Sequence, residues 1–144
     1  MVPALLKWIG NKQRFANTIV NYMPDTFGDY YEPFLGSGAV LAELLMRDST
    51  SMYPHFNYAY GSDVLPFLID IFNTVKEDPS ALTEYYAREI AEYYKDADGQ
   101  YDIIKNRFNQ DHNAFDLCLL SRTCYSGICL LYTSDAADDS LRVD

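Results

Sequence analysis

Positive charge is scarce in this sequence: 11 Lys and Arg stand against 21 Asp and Glu, for a formal net charge of −10. That balance excludes a surface basic throughout, the usual footprint of proteins that cover phosphate backbones or anionic membranes. Cysteine and histidine are also few, at three and two copies. Cys118, Cys124 and Cys129 show no paired ligand spacing, and His55 and His112 stand apart from them, so no structural metal is expected and the thiols are read as reduced. No apolar run approaches the roughly 20 residues that a membrane-crossing helix needs, and Met1 does not open a secretory leader. A cytoplasmic protein is the expectation.

What is abundant is apolar and aromatic material, 49% and 15% of 144 residues, which excludes wholesale disorder and suffices for one core. Apolar spacing predicts helices over 12–23, 39–47 and 64–75, with strands over 29–34 and 58–62 between them. This alternation is that of an α/β fold. After Lys76 the pattern turns helical: Leu82, Tyr85, Tyr86, Ile90 and Tyr93 recur at helical spacing over 79–95, residues 96–100 break it, and 101–108 and 113–124 resume. The many tyrosines here are read as helix packing, and Asp78-Pro79 as a turn and helix start.

The most informative stretch is Tyr30-Tyr31-Glu32-Pro33-Phe34-Leu35-Gly36-Ser37-Gly38, an apolar strand running through a glycine-punctuated turn into a helix. Glycines there remove the Cβ atoms that keep a nucleotide-like ligand off the backbone, and Asp63 ends the next strand about 25 residues on, as in a mononucleotide-binding half of a doubly wound fold. Upstream, Leu6-Lys7-Trp8-Ile9-Gly10-Asn11-Lys12 offers an aromatic ring and a lysine just before a helix. Each residue also has a plainer role open to it: turn glycines, Trp8 in a core, Lys12 in solvent at a helix start, Asp63 as an N-cap.

Four segments together resemble the Dam-type adenine-N6 DNA methyltransferases. Lys7–Lys12 is similar to that family's KWxGxK motif, Glu32–Gly38 to EPFxGxG, Ser62–Ile69 to ADxNxxLI, and Leu120–Gly127 to LNRxxYNG, all in family order. The resemblance implies a Rossmann-like S-adenosylmethionine-dependent methyltransferase fold. Residues 1–76 would form the first part of the cofactor domain and 77–128 an incomplete helical target-recognition insert. It implies a cofactor pocket with Trp8 near the adenosine, Lys12 at the carboxylate, Asp63 on the ribose hydroxyls, and the turn of Glu32, Pro33, Gly36 and Gly38 against the methionine part. It also implies double-stranded DNA as partner, contacted by Arg122, Tyr125 and Ser126. Tyr125 would wedge into the base stack so that the adenine can be extruded. Ser126 stands where asparagine is usual, which leaves the target sequence open. A buried helix end with Tyr125 in the core and Gly127 as C-cap is the alternative for this segment. A monomeric enzyme of bacterial or phage cytoplasm is the further expectation.

The family's catalytic DPPY tetrapeptide does not occur here. From Cys129 to Asp138 the sequence matches one translated frame of a transposase sequencing adapter, so residues from about Cys129 are expected to be non-native. Those 16 tail residues supply −3 of the net charge. The remaining acidity counts against DNA binding, while Lys7, Lys12 and Arg14 cluster at the cofactor end and Lys105, Arg107 and Arg122 fall in the other half. Three functions follow: an adenine-N6 DNA methyltransferase cut short, a methyltransferase acting on a small molecule or protein, or an inactive cofactor-binding fragment.

Overall fold

The computed structural model describes residues 2–124, so Tyr125, Ser126, Gly127 and the tail from Cys129 lie outside the described residues. Among the described residues eight elements follow one another: α1 (Gln13–Asn21), β1 (Tyr30–Glu32), α2 (Ala39–Ser49), β2 (Ala59–Gly61), α3 (Pro66–Glu77), α4 (Pro79–Tyr93), α5 (Ala97–Asp111) and α6 (Ala114–Thr123). The fold is mixed α/β, mostly helical, with one small parallel sheet.

β1 and β2 pair in parallel with Tyr30 opposite Ala59, Tyr31 opposite Tyr60 and Glu32 opposite Gly61. Parallel partners need a crossover, and α2 supplies it. Main-chain bonds continue past the strand ends, from Phe27 N to His55 O at 2.9 Å at one end and from Leu35 N to Ser62 O at 2.8 Å at the other. Tyr31 and Tyr60 stack across the register with ring centroids 4.9 Å apart. α1 packs on α2 and β1 by burying Ala16 and Val20, one turn apart, against Val40 and Leu44.

A second, larger core lies among α3 to α6 and includes Leu6 from the N-terminal segment. It therefore joins residues from both sides of Lys76. α6 is buried nearly all round, from Asp116 to Ser121 without interruption, which marks it as the central helix of this half. Cap chemistry sets the helix starts. Asp78 Oδ1 accepts from Ala81 N at 3.0 Å with Pro79 in the first turn, and Asn113 Oδ1 accepts from Asp116 N at 2.8 Å. Residues 96–100, expected to break the helical pattern, instead begin α5. Asp96 Oδ1 accepts from Gly99 N at 3.1 Å and turns the polar stretch into a cap. α3 begins at Pro66, two residues later than the spacing predicts, because a proline has no N–H to give and is suited to a helix's first turn.

Asp116 places a carboxylate with no solvent exposure inside this bundle. Arg107 of α5 answers it, with Nε donating to Oδ2 at 2.6 Å and Nη2 to Oδ1, and also donates to Glu89 Oε2 of α4 at 3.0 Å. The Tyr85 hydroxyl donates to Asp116 and accepts from Arg107, while Asn113 Nδ2 donates to Asp116 at 2.8 Å. Burial by itself would raise the Asp116 pKa. The bonds from Arg107, Tyr85 and Asn113 and the charge of Arg107 outweigh it and hold the carboxyl below its ordinary range.

Arg107→Leu strands that buried carboxylate and is expected to destabilise the protein by about 3 kcal/mol, the low end for a broken buried pair because the guanidinium is partly exposed. Because the folded pKa of Asp116 is depressed, its contribution is complete above the unfolded value near 4 and is lost as pH falls through the folded one. Chemical denaturation of wild type and Arg107→Leu at pH 7 checks the first point, and of wild type and Asp116→Asn from pH 7 to pH 2 the second. Wild type should lose more stability over that range than Asp116→Asn.

Candidate functional site

The turn between β1 and α2 makes the reversal that the sequence predicted. Gly36 and Gly38 both have positive φ, +51° and +65°, a region that side chains with a Cβ rarely enter. Among the described residues a Cβ on Gly36 would meet only Trp8 Cδ1, at 3.6 Å, so the backbone there stands open toward an approaching molecule. A Cβ on Gly38 would collide with the Phe72 ring of α3, at 2.8 Å and 2.9 Å. The two glycines thus do different things: one leaves space, the other allows a helix to pack.

Two carboxylates hold the turn. Asp63 Oδ2 accepts from Gly36 N at 2.9 Å and its Oδ1 from Leu65 N at 3.2 Å, tying the end of β2 to the turn and to the approach of α3. This is close to the N-cap alternative, although the cap position itself is Leu65. Glu32, at the end of β1, reaches forward to cap α2. Its Oε2 accepts from Leu41 N at 3.1 Å, a service that Gly38 at the cap position has no side chain to perform, and from Tyr30 Oη at 3.0 Å. Burial pushes the Glu32 carboxyl upward, and the bonds from Tyr30 and Leu41 offset only part of that. The Tyr30 phenol is driven well above its ordinary range by burial and then by the neighbouring Glu32 charge.

The N-terminal loop closes over this turn. Asn11 Oδ1 accepts from Ser37 Oγ at 3.0 Å and from Gln13 N at 2.8 Å, so one amide both begins α1 and fastens the loop to the glycine turn. Lys12 is exposed, with Nζ donating to Gly10 O at 3.0 Å and two further N–H groups to spare for another acceptor. Trp8 is half-buried against the larger core.

Between loop and turn lies a cavity of about 340 Å³ whose wall includes Trp8, Lys12, Glu32, Gly36 and Asp63. Five of the seven predicted cofactor residues therefore meet at one space, although they come from three separate stretches of chain. Pro33 is exposed and does not line it, and Gly38 lines a neighbouring, largely apolar cavity of about 260 Å³ with Phe72 and Val75. Asn11, Ser37 and Phe34 also line the site and were missed; the one signal for Asn11 was an asparagine just before a helix. Phe34 is 89% exposed and offers an apolar ring there. Two carboxylates against one ammonium give the cavity a formal charge of −1, which favours a ligand that carries positive charge. Of the three residues predicted to contact DNA, only Arg122 is among the described residues, and it does not line this cavity. Arg122 lies at the end of α6 with its Nη2 on the carbonyl oxygens of Ala4 and Leu5, and Tyr125 and Ser126 are outside the described residues.

A family model described as D12 class N6 adenine-specific DNA methyltransferase matches residues 8–137. A DNA adenine methylase of Vibrio cholerae is 26% identical over 133 residues, covering 88% of this chain and 43% of its own length. The type II methyltransferase M.MjaIII of Methanocaldococcus jannaschii is 27% identical over 144 residues, with 88% and 47% covered. M1.LlaDCHI, a type II methyltransferase of Lactococcus lactis, is 25% identical over 131 residues, with 85% and 41% covered. The chain spans less than half the length of these curated relatives.

Gly36→Ala is expected to cost about 1–2 kcal/mol through its backbone alone. Gly38→Ala should cost roughly 1–3 kcal/mol more, because the Phe72 ring must also move. Thermal unfolding of the two variants checks the order; equal losses would show that Phe72 yields freely.

Proposed function

This chain belongs to the D12 class of N6 adenine-specific DNA methyltransferases, a family that uses S-adenosylmethionine, and from that membership we propose that its cavity is the cofactor site. The observation that carries the proposal is the meeting of Trp8, Lys12, Glu32, Gly36 and Asp63 around one space with an open backbone and an excess of carboxylate. The residues fit the group. Trp8 offers a ring face to an adenine, Lys12 a charge-assisted bond to a carboxylate, and Asp63 acceptor capacity for ribose hydroxyls beyond the two N–H groups it already holds. The turn from Glu32 through Pro33 and Gly36 to Gly38 would run beside the methionine part, with Glu32 supplying negative charge. The bound cofactor supplies an electrophilic methyl group; the chain's own part is to bind it, orient it and keep the turn rigid.

In the whole protein, the reaction proposed is methyl transfer to adenine N6 in double-stranded DNA. Residues 1–76 would belong to a Rossmann-like methyltransferase domain and residues 77–128 to a helical target-recognition insert, with Arg122, Tyr125 and Ser126 in contact with DNA. Extrusion of the adenine costs a few kcal/mol of stacking, which an inserted Tyr125 ring would partly offset. The absence of a DPPY tetrapeptide supports a second statement, that this chain by itself binds cofactor without transferring methyl groups. Residues from about Cys129 are proposed to be non-native, and that proposal must accommodate a family match that runs on to residue 137.

Isothermal titration with S-adenosylhomocysteine tests the site. Lys12→Ala should weaken binding about tenfold, the loss of one charge-assisted bond, and Trp8→Ala by a similar factor, with helical content unchanged. No heat from the wild-type chain at millimolar ligand would overturn the cofactor assignment.

Source DNA read past the Ile128 codon without adapters should encode a basic hairpin followed by DPPY. The protein made from that gene should then methylate adenine-containing duplexes and leave duplexes lacking adenine in their target strand untouched. A native gene that encodes Cys129 to Asp144 and stops would leave only the cofactor-binding fragment.

A further inference from the structure

Arg122 is on the last turn of α6, yet its bonds reach to the beginning of the chain. Nη2 donates to Ala4 O at 2.5 Å and to Leu5 O at 3.0 Å, partners 118 and 117 positions away. A guanidinium Nη carries two N–H groups, so this nitrogen is fully used on two consecutive carbonyls of one segment. Their distance along the chain means that the bonds act on where the N-terminal segment runs, beside those of Val2 N to Glu43 Oε2 at 3.2 Å and of Gln13 Nε2 to Val2 O at 2.7 Å, and not on how a local turn closes.

That segment leads directly to the cavity. Leu6, the next residue, has no exposure and sits in the core with residues of α3 and α6. Two residues on, Trp8 forms part of the cavity wall, and its Cδ1 lies 3.6 Å from where a Cβ on Gly36 would be. The segment is thus held from outside by a cation on two carbonyls and from inside by a buried leucine, and both anchors lie just before the tryptophan.

We infer that Arg122 is a positioning residue of the cavity: its guanidinium fixes the N-terminal segment so that Trp8 stands against the glycine turn. This goes beyond the DNA contact proposed for the same residue and is compatible with it, since Arg122 is exposed and the bonds to Ala4 and Leu5 engage Nη2 alone of its three nitrogens. Only the ligand-binding arm of the test rests on the cofactor proposal.

Trp8 is the single tryptophan in the sequence, so its fluorescence reports on this wall alone. Arg122→Ala should shift the emission to longer wavelength and raise acrylamide quenching about twofold while the far-ultraviolet circular dichroism stays unchanged. S-adenosylhomocysteine affinity should fall about fivefold, and Arg122→Lys, which keeps a cation near the carbonyls, should lie between Ala and wild type. Unchanged emission and quenching in folded Arg122→Ala would overturn the inference. If Arg122→Ala loses its helical signal, Arg122→Met, which keeps the apolar stem, carries the test on the same criteria. Unfolding of both variants would overturn it too, since Arg122 would then brace the whole fold. A wild-type chain that binds no S-adenosylhomocysteine, beside an Arg122→Ala variant with altered Trp8 fluorescence, would sink the cofactor assignment and leave the role of Arg122 standing.

Discussion

A carboxylate with no access to water has to be answered where it stands, and the helical half of this protein is arranged around that requirement. Asp116 draws Arg107 from α5, and Arg107 in turn engages Glu89 of α4, so three helices are tied at one point by charge. Removal from water disfavours each ion, and only a full set of donors makes the arrangement tolerable. With α6 fixed in this way, its apolar sides set the position of α3 through Phe67, Leu68 and Ile71. α3 follows directly on Asp63, whose carboxylate holds the glycine turn. The floor of the cavity therefore inherits its position from a network in another part of the molecule.

The cavity is built largely by the side chains that would meet a ligand. Glu32 caps α2 and also lines the space; Asp63 ties the end of β2 to the turn and also lines the space. Lys12 and Trp8 differ, since Lys12 has one short-range bond and Trp8 is half-buried, so binding and folding are more separable there. This division explains why the N-cap alternative for Asp63 and the ligand alternative are not rivals. One carboxylate has enough lone pairs for both.

Local features were legible in the sequence and distant ones were not. The alternation of strands and helices, the Asp78-Pro79 helix start and the glycine turn each depend on residues within a few positions of one another, and each is present. The stretch at Asp96 was misjudged because polar residues and a glycine look like a break until the side chain of Asp96 is seen capping Gly99. Tyr85 packs edge-on to Phe115, as helix packing suggests, but its hydroxyl enters the Arg107 and Asp116 network, whose members lie up to 31 positions apart. Ser37 with Asn11, 26 positions apart, and Arg122 with Ala4 are likewise pairings that no periodicity announces. Five of the seven predicted cofactor residues are brought to one cavity by contacts of this second kind.

Glu32 carries a consequence for how such a site changes over generations. Its carboxylate is at once a helix cap and part of the cavity wall, so a substitution that retunes the wall also frees the amide of Leu41. Drift in ligand preference at this position is thereby penalised through folding before any effect on chemistry is felt. Phe34, two residues on and almost wholly exposed, carries no such burden. Variation that survives selection should accumulate at the rim of this cavity and be rare at its base.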